Sequence, residues 1–425
     1  MALFLFGVFA LLLVIGVPIA IALGMAAFAS IWTFTTVDMS IAPQVMFKAV
    51  NSFPMMAIPF FILAGNVMSS GGISERLVKF ASSLVGSLTG GLAHITVLAS
   101  MFFAAISGSS PATTAAIGSV MVPAMTERGY DKNFATAVAA AAGTVGVVIP
   151  PSIPMVLYAV LAGVSIGRLF LAGFGPGILM GLSMMAVVYF ISKREGYVGT
   201  GKFSFRDLLV SFKDSFFALL MPIIILGGIY GGIFTPTEAA AVAVVYGVIV
   251  GFFVYRELKI KDIPDILYKS AVGTAVIMFL ISGANLFGWF LVREMIPQSI
   301  AAAMVAVTDN SYVIIFLINI LLLILGTFLN TTAAIVLVTP ILLPVLLQVG
   351  IDPLFMGAVM VVNLAVGMIT PPVGLCLFVA CNISNITLDA ITKSVLPLLL
   401  VLIVCIFLIS YIPGIVMFLP NLLMP

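Results

Sequence analysis

Apolar residues run along this chain in long uninterrupted stretches, and the polar and helix-breaking residues fall inside some of those stretches rather than between them. Phe102 to Met125 is the clearest case. Its flanks are apolar, while its centre, Ser107-Gly108-Ser109-Ser110-Pro111-Ala112-Thr113-Thr114, is small and polar. The flanks read as too short to cross a bilayer. The pattern predicts a re-entrant hairpin: a half-helix in, a tight turn, a half-helix out. Leu325 to Pro340 repeats the logic around Gly326, Thr327, Asn330, Thr331 and Thr332. Each hairpin is followed by an apolar segment broken by glycine and a proline pair. One carries Gly143, Gly146 and Pro150-Pro151; the other runs from Asn363 through Gly367 and Thr370 to Pro371-Pro372. Non-helical backbone at membrane depth survives only where protein covers it or where it lines a cavity.

These features recur at fixed spacing. Thr113-Thr114-Ala115-Ala116-Ile117 returns 218 residues later as Thr331-Thr332-Ala333-Ala334-Ile335, and Gly65 and Gly283 are also 218 apart. Pro123 and Pro344, Gly146 and Gly367, and the two proline pairs are 221 apart. Paired interrupted segments in two sequence halves point to the binding site of a secondary transporter. The halves divide as 1–192 and 215–425, joined by a polar linker at 193–214. Within the first, scaffold helices are expected at about 1–90 and the hairpin-bearing part at about 95–190. Within the second, the corresponding parts are expected at about 215–310 and 315–425. Met1 to Phe34 reads as a first, retained membrane helix, kinked at Pro18. Roughly 10–12 spanning elements fit the length at about 20 residues each.

Composition fixes the class. The chain has 425 residues, 63% of them hydrophobic and only 8% charged. A soluble domain carries roughly 25% charged residues. The chain is therefore an integral membrane protein, and runs this long are helices rather than barrel strands. A net charge of +2 gives no reason to expect nucleic acid or an acidic partner. Nine of the 17 Lys and Arg residues lie between Lys193 and Lys269, in two clusters flanking the apolar stretch Phe216 to Tyr255. That stretch is long enough for two spans, so both clusters share one face, and the positive-inside rule makes it the cytoplasmic one.

The candidate chemistry is ion coordination. A broken helix leaves carbonyls unpartnered at one end and N–H groups at the other. Free carbonyls together with hydroxyls are hard oxygen ligands suited to Na⁺. Free N–H groups at the positive end of a helix dipole suit an anion such as a carboxylate. The expected sodium ligands on the first side come from Ser107, Gly108, Ser109, Ser110, Thr113, Gly143, Gly146 and Pro150. On the second side they come from Gly326, Thr327, Asn330, Thr331, Thr332, Gly367 and Thr370. Two equivalent cation sites follow from the symmetry. Substrate contacts are expected from Ser110, Pro151, Asn330, Arg293 and Glu238. Glu238 also fits a helix cap, Arg293 and Glu294 fit an interfacial anchor beside Trp289, and Asp389 and Lys393 fit an i,i+4 pair. His94 and the three cysteines read as buried packing residues.

Three other classes compete with this one. No acidic residue lies in Ser100 to Thr126, which disfavours a proton-coupled carrier. A channel is built from several subunits around a shared pore, whereas one chain here already supplies two halves. A membrane protease needs paired aspartates, a Ser–His pair or a metal-binding His-Glu motif, and the sole histidine has no such partner.

The motifs Ser107-Gly108-Ser109-Ser110, Ala115-Ala116-Ile117-Gly118-Ser119, Ile149-Pro150-Pro151-Ser152, Thr339-Pro340-Ile341-Leu342-Leu343-Pro344 and Pro371-Pro372-Val373-Gly374 resemble those of the large membrane subunit of tripartite ATP-independent periplasmic (TRAP) transporters. The resemblance covers nearly the whole chain. It implies an all-helical polytopic protein of two inverted repeats, similar in fold to divalent-anion/sodium symporters, in a bacterial inner membrane. It further implies sodium-driven uptake in which a scaffold holds a moving, hairpin-bearing transport domain. A periplasmic binding protein would deliver an organic acid, and a separate small four-helix subunit would associate in the bilayer. Where many relatives have Asp-Pro, this chain has Asn330-Thr331. It looks most like the sialic acid branch, with C4-dicarboxylates as the other substrate class.

Overall fold

The computed structural model describes residues 1–201, 203–299 and 310–424. Lys202 of the first basic cluster, and the stretch 300–309 at the expected scaffold boundary, lie outside the described residues. Within them the elements are helices joined by turns.

The chain opens with α1 (Ala2–Val14) and α2 (Ile19–Phe34). The expected single kinked helix is therefore two. Gly16 turns the chain at φ +84°, and Pro18, which has no N–H to donate, stands as the N-cap of α2. Next come α3 (Ile41–Val50), a 3₁₀ turn at Phe53–Met56, α4 (Ala57–Ser70) and α5 (Ile73–Val85). Arg76 anchors α5. Its guanidinium lies 2.6 Å from Glu257 and 3.7 Å from Asp214, and 3.8 Å from the centre of the Tyr255 ring.

The first hairpin is α6 (Gly91–Ser107) and α7 (Ser110–Glu127). Its arms have 17 and 18 residues, longer than the sequence suggested. They are a hairpin nonetheless, because both open ends meet the same residue: Gly90 N–H donates to the Tyr197 carbonyl, and Asp131 N–H donates to the Tyr197 hydroxyl. The first broken helix is α8 (Lys132–Gly143), a 3₁₀ turn at Thr144–Val147, the Pro150-Pro151 pair in cis, and α9 (Ile153–Ala162). Then α10 (Ile166–Glu195) returns to the basic face and α11 (Phe205–Tyr230) leaves it. These two helices absorb most of the expected linker. α12 (Pro236–Ile249), extended by a wide turn over Val250–Val254, and α13 (Ile263–Arg293) follow and lead to the second hairpin.

The second hairpin is α14 (Ser311–Phe328) and α15 (Thr331–Gln348). Its open ends also meet, through Ser311 Oγ donating to the Val349 carbonyl. The second broken helix is α16 (Pro353–Gly367), the cis Pro371-Pro372 pair, and α17 (Leu375–Ser384), followed by α18 (Leu388–Tyr411) and α19 (Pro413–Leu423). Among the described residues, eight helices are long and apolar enough to cross a membrane. Both arms of the second hairpin are among the eight, and shorter apolar helices such as α1, α2, α6 and the pieces of the broken helices are not.

The halves run in opposite senses. Hairpin α6–α7 opens beside Tyr197, at the end of α10 that carries Lys193 and Arg194. Hairpin α14–α15 opens beside Tyr411, whose hydroxyl donates to the Tyr312 carbonyl at the far end of α18. α13 runs between the faces. Lys269 near its start and Arg293 at its end are 24 residues apart, roughly 36 Å of helix. The two hairpins enter from opposite sides, so the repeats are inverted.

Candidate functional site

At the first tip, Gly108 turns at φ +60° and Ser109 caps α7 by accepting from Ala112 N–H. A Cβ on Gly108 would stand 2.9 Å from the Pro151 carbonyl oxygen, so glycine is required both by the turn and by the close approach of the broken helix. The hydroxyls of Ser107 and Thr113 lie 2.7 Å apart, and Thr113 Oγ1 donates to the Ser109 carbonyl at 2.9 Å. Ser110 Oγ donates to the Thr144 carbonyl at 2.9 Å, which fastens the hairpin to the broken helix. Gly143 and Gly146 make room behind it. A Cβ on Gly143 would fall 1.8 Å from Thr114 Oγ1, and one on Gly146 would lie 2.5 Å from Thr113 Oγ1 and 2.7 Å from the Ser109 carbonyl oxygen.

At the second tip, Asn330 caps α15 by accepting from Ala333 N–H at 2.7 Å. Gly326 and Gly367 pack backbone to backbone; a Cβ on Gly367 would sit 2.5 Å from the Gly326 Cα. Thr327 Oγ1 donates to the Ile324 carbonyl, and Thr370 Oγ1 to the Val366 carbonyl. Thr331 is buried beside Met368, and Thr332 is half-buried. Both broken helices clasp their hairpins in the same way. Ile153 N–H donates to the Gly108 carbonyl, and Gly374 N–H to the Thr327 carbonyl. Ile153 and Gly374 are 221 apart.

The two tips, expected to carry equivalent cation sites, do not match residue for residue. Ser109 and Asn330, the two caps, are 221 apart, the same offset as Pro123 and Pro344. The Thr-Thr-Ala-Ala-Ile blocks, 218 apart, are therefore out of register by three residues, close to one helical turn. Thr113 is the fourth residue of α7, whereas Thr331 is the first of α15. The places matching Ser107 and Thr113 at an offset of 221 are Phe328 and Ala334, which carry no hydroxyl. Each hairpin has its own oxygen set.

The tips converge. Gly108, Ser109 and Pro111 from one hairpin and Asn330, Thr331 and Thr332 from the other line a single cavity of about 160 Å³. The N-terminal turns of α9 (Ile153, Pro154) and α17 (Leu375) line it too. Four helix N-termini thus face one small space, the arrangement that favours an anion. The carbonyl ends of α6, α8, α14 and α16 lie at Ser107, Gly143, Phe328 and Gly367, each behind one of those turns. Among the described residues, no carboxylate lines the cavity.

Other sequence-predicted residues lie elsewhere. Pro150 and Pro151 shape the broken helix without lining the cavity. Glu238, expected as a substrate contact, does not line the tip cavity. Its carboxylate accepts from both the N–H and the hydroxyl of Thr235 at 2.8 Å, closing a capping box at the start of α12. Arg293 pairs with Glu294 at 3.7 Å, lies 5.4 Å from the Trp289 ring, and does not line the tip cavity. Asp389 and Lys393 form no ion pair with each other. His94 is buried on α6, 13 residues from the tip, and the three cysteines are free and buried. Sequence reasoning missed Ile153, Ile277 and Leu375, apolar residues whose places depend on tertiary packing and leave no local signal.

Comparison with known proteins decides the family. Residues 6–415 match the model described as "Tripartite ATP-independent periplasmic transporter, DctM component". The chain belongs to that family. It is 49% identical over 97% of its length to the isethionate TRAP transporter permease DctMQ of Oleidesulfovibrio alaskensis, of which it spans 65%. It is 44% identical to the C4-dicarboxylate large permease DctM of Pseudomonas aeruginosa, with 88% of each chain covered. It is 40% identical to the sialic acid large permease SiaM of Vibrio cholerae, covering 97% of this chain and 96% of that one. The fold is shared with the YdaH transporter of Alcanivorax borkumensis at a TM-score of 0.66 and 15% identity, over 89% and 90% of the two chains. This DctM-family protein is a large permease subunit of the inner membrane, a transporter component and not an enzyme.

Proposed function

We propose that this DctM-family chain carries a small organic acid anion across the inner membrane, driven by Na⁺. The observation behind the proposal is the tip cavity, where four helix N-termini and a ring of hydroxyls and amides face one space without a carboxylate among the described residues. The N-termini would hold the anionic head. The hydroxyls of Ser107 and Thr113 with the Ser109 carbonyl, and on the other side Thr331 and Thr370 with the carbonyls that end α16, are hard oxygen donors of the kind Na⁺ takes. The relatives carry isethionate, C4-dicarboxylates and sialic acid by name. Their shared feature is a carboxylate or sulfonate head, and the identities do not favour the sialic acid branch. The substrate class proposed is therefore the anionic head, with sialic acid one member of it.

Transport would proceed by an elevator movement of the hairpins and broken helices against the scaffold. A separate small membrane subunit and a periplasmic binding protein are the partners that the family implies. The proton-coupled alternative lacks an acid at the cavity, and the channel alternative does not account for two inverted hairpins within one chain. Thermal denaturation of the purified protein in NaCl, KCl and choline chloride at equal ionic strength tests the reading, because a ligand bound only to the folded state raises stability with its concentration. A saturable rise specific to Na⁺, enlarged by isethionate, succinate or sialic acid, is expected. Identical curves in the three salts would overturn sodium coupling.

A further inference from the structure

Two vestibules flank the tip cavity, and the inverted repeat relates them. The inner one, about 580 Å³, is lined by Lys269 and Gly273 of α13, by Ala115 and Ser119 of α7, and by Asn66 of α4. The outer one, about 900 Å³, is lined by Lys48 of α3 with Ser52 beyond its end, by Val336 and Pro340 of α15, and by Asn285 of α13. Lys48 and Lys269, Ser52 and Gly273, Ala115 and Val336, and Ser119 and Pro340 are each 221 apart. Most of these matched pairs have diverged, yet each vestibule keeps a lysine facing its space, taken from the half opposite to its hairpin. The inner vestibule shares Ser109, Ile153 and Ile277 with the tip cavity. The outer vestibule shares no lining residue with it among the described residues.

The lysines match in position and differ in charge environment. Lys269 pairs with Asp265, one turn before it on α13, at 2.6 Å. The residue 221 before Asp265 is Gln44, one turn before Lys48 on α3 and also lining the outer vestibule. Gln44 carries no charge, and no ion pair among the described residues involves Lys48. The other charged group at the outer vestibule is Arg293, which pairs with Glu294. Among the described residues, the outer mouth thus holds an un-neutralised cation, and the inner mouth a neutralised one.

We infer that Lys48 and Lys269 are the outer and inner anion-catching groups of the transport path, and that the Gln44/Asp265 difference makes them unequal. The inference rests on the anion-carrier reading and deepens it. An incoming carboxylate or sulfonate meets a free ammonium at Lys48, which concentrates it at the mouth and orients its head toward the hairpins. On the inner side the Asp265 carboxylate competes for Lys269, so the anion is held less firmly and leaves. The charge difference between the mouths favours capture outside and release inside without a direct change at the tips.

The test is radiolabelled uptake and efflux by the complete transporter in proteoliposomes, with its small subunit and binding protein, using isethionate, succinate and sialic acid as probes. Lys48→Gln is expected to raise the KM for uptake several-fold with little change in kcat. Gln44→Asp, which recreates the inner pairing at the outer mouth, is expected to do the same, and the two together, which leave an unpaired carboxylate at the mouth, to raise the KM further than either alone. Asp265→Asn is expected to lower the KM for efflux from the inner face and to slow net uptake at saturating substrate. Each effect should shrink as KCl is raised, because the charges are screened. Unchanged KM values in Lys48→Gln and Gln44→Asp, with wild-type uptake intact, would overturn the inference alone. Absence of wild-type uptake for all three probes would overturn the carrier reading and the inference with it.

Discussion

At the scale of single residues, glycine and small hydroxyl side chains set the site, because they let a hairpin tip and a broken helix share space that a Cβ would fill. Gly146→Ala would push a methyl group against Thr113 Oγ1 and the Ser109 carbonyl. Overpacking of this kind costs about 1–3 kcal/mol. We expect a lower melting temperature together with a weakened Na⁺ response. Gly227→Ala, with nothing within 4 Å of its Cβ, is expected to leave both unchanged. Ser107→Ala and Thr113→Ala should each raise the NaCl concentration needed for half-maximal stabilisation. Because the two hydroxyls bond each other, the double variant should fall short of the sum of the single effects. Full additivity, measured by titrating NaCl against melting temperature, would show that they act at separate places. The residue types and their crowding at Ser107 to Thr114 were legible in the sequence. The role of Glu238 was not, since a carboxylate at the start of a helix fits a cap and a substrate contact equally until its partner is seen.

At the scale of elements, polar caps and short anchors hold the hairpins and scaffold helices in place. The Thr235–Glu238 capping box fixes the turn between α11 and α12 on the face away from the basic clusters. Thr235→Ala should cost about 1 kcal/mol of stability, as loss of an N-cap does, without shifting the Na⁺ response. Thermal scans with and without NaCl separate the two effects. The hairpins themselves were readable, because a polar, glycine-containing centre inside an apolar run breaks the helix at membrane depth. Their arm lengths and register were not. The repeated Thr-Thr-Ala-Ala-Ile block invites alignment at 218, but the caps at Ser109 and Asn330 place the helices in register at 221. A slip of three residues nearly preserves the helix face, so the letters remain alike while the neighbours change.

At the scale of the whole molecule, the tip cavity shares Ser109, Ile153 and Ile277 with the inner vestibule and, among the described residues, no lining residue with the outer one. The space that the tip cavity shares lining with is the one that Lys269, near the start of α13, faces. Thr332→Cys places a thiol at the cavity in a chain whose own cysteines are buried. A membrane-impermeant thiol reagent should label it from the cytoplasmic side without Na⁺. Labelling from the outer side should appear only when Na⁺ and the binding protein populate the opposite state. Simultaneous labelling from both sides, whatever the Na⁺ concentration, would point to a channel.

The sequence by itself determined the membrane class, the two interrupted hairpins, the broken helices and the family, because each is written in local hydropathy, in helix breakers or in motifs read along the chain. The opposite entry of the hairpins was implied by the family resemblance, and tertiary structure alone decided two further matters: the meeting of their tips in one cavity, and the placing of Lys48 and Lys269 at two vestibules. Each depends on which face of the membrane a helix starts from and on contacts between residues some 200 positions apart. Those follow from packing the whole chain, and local periodicity carries no record of them.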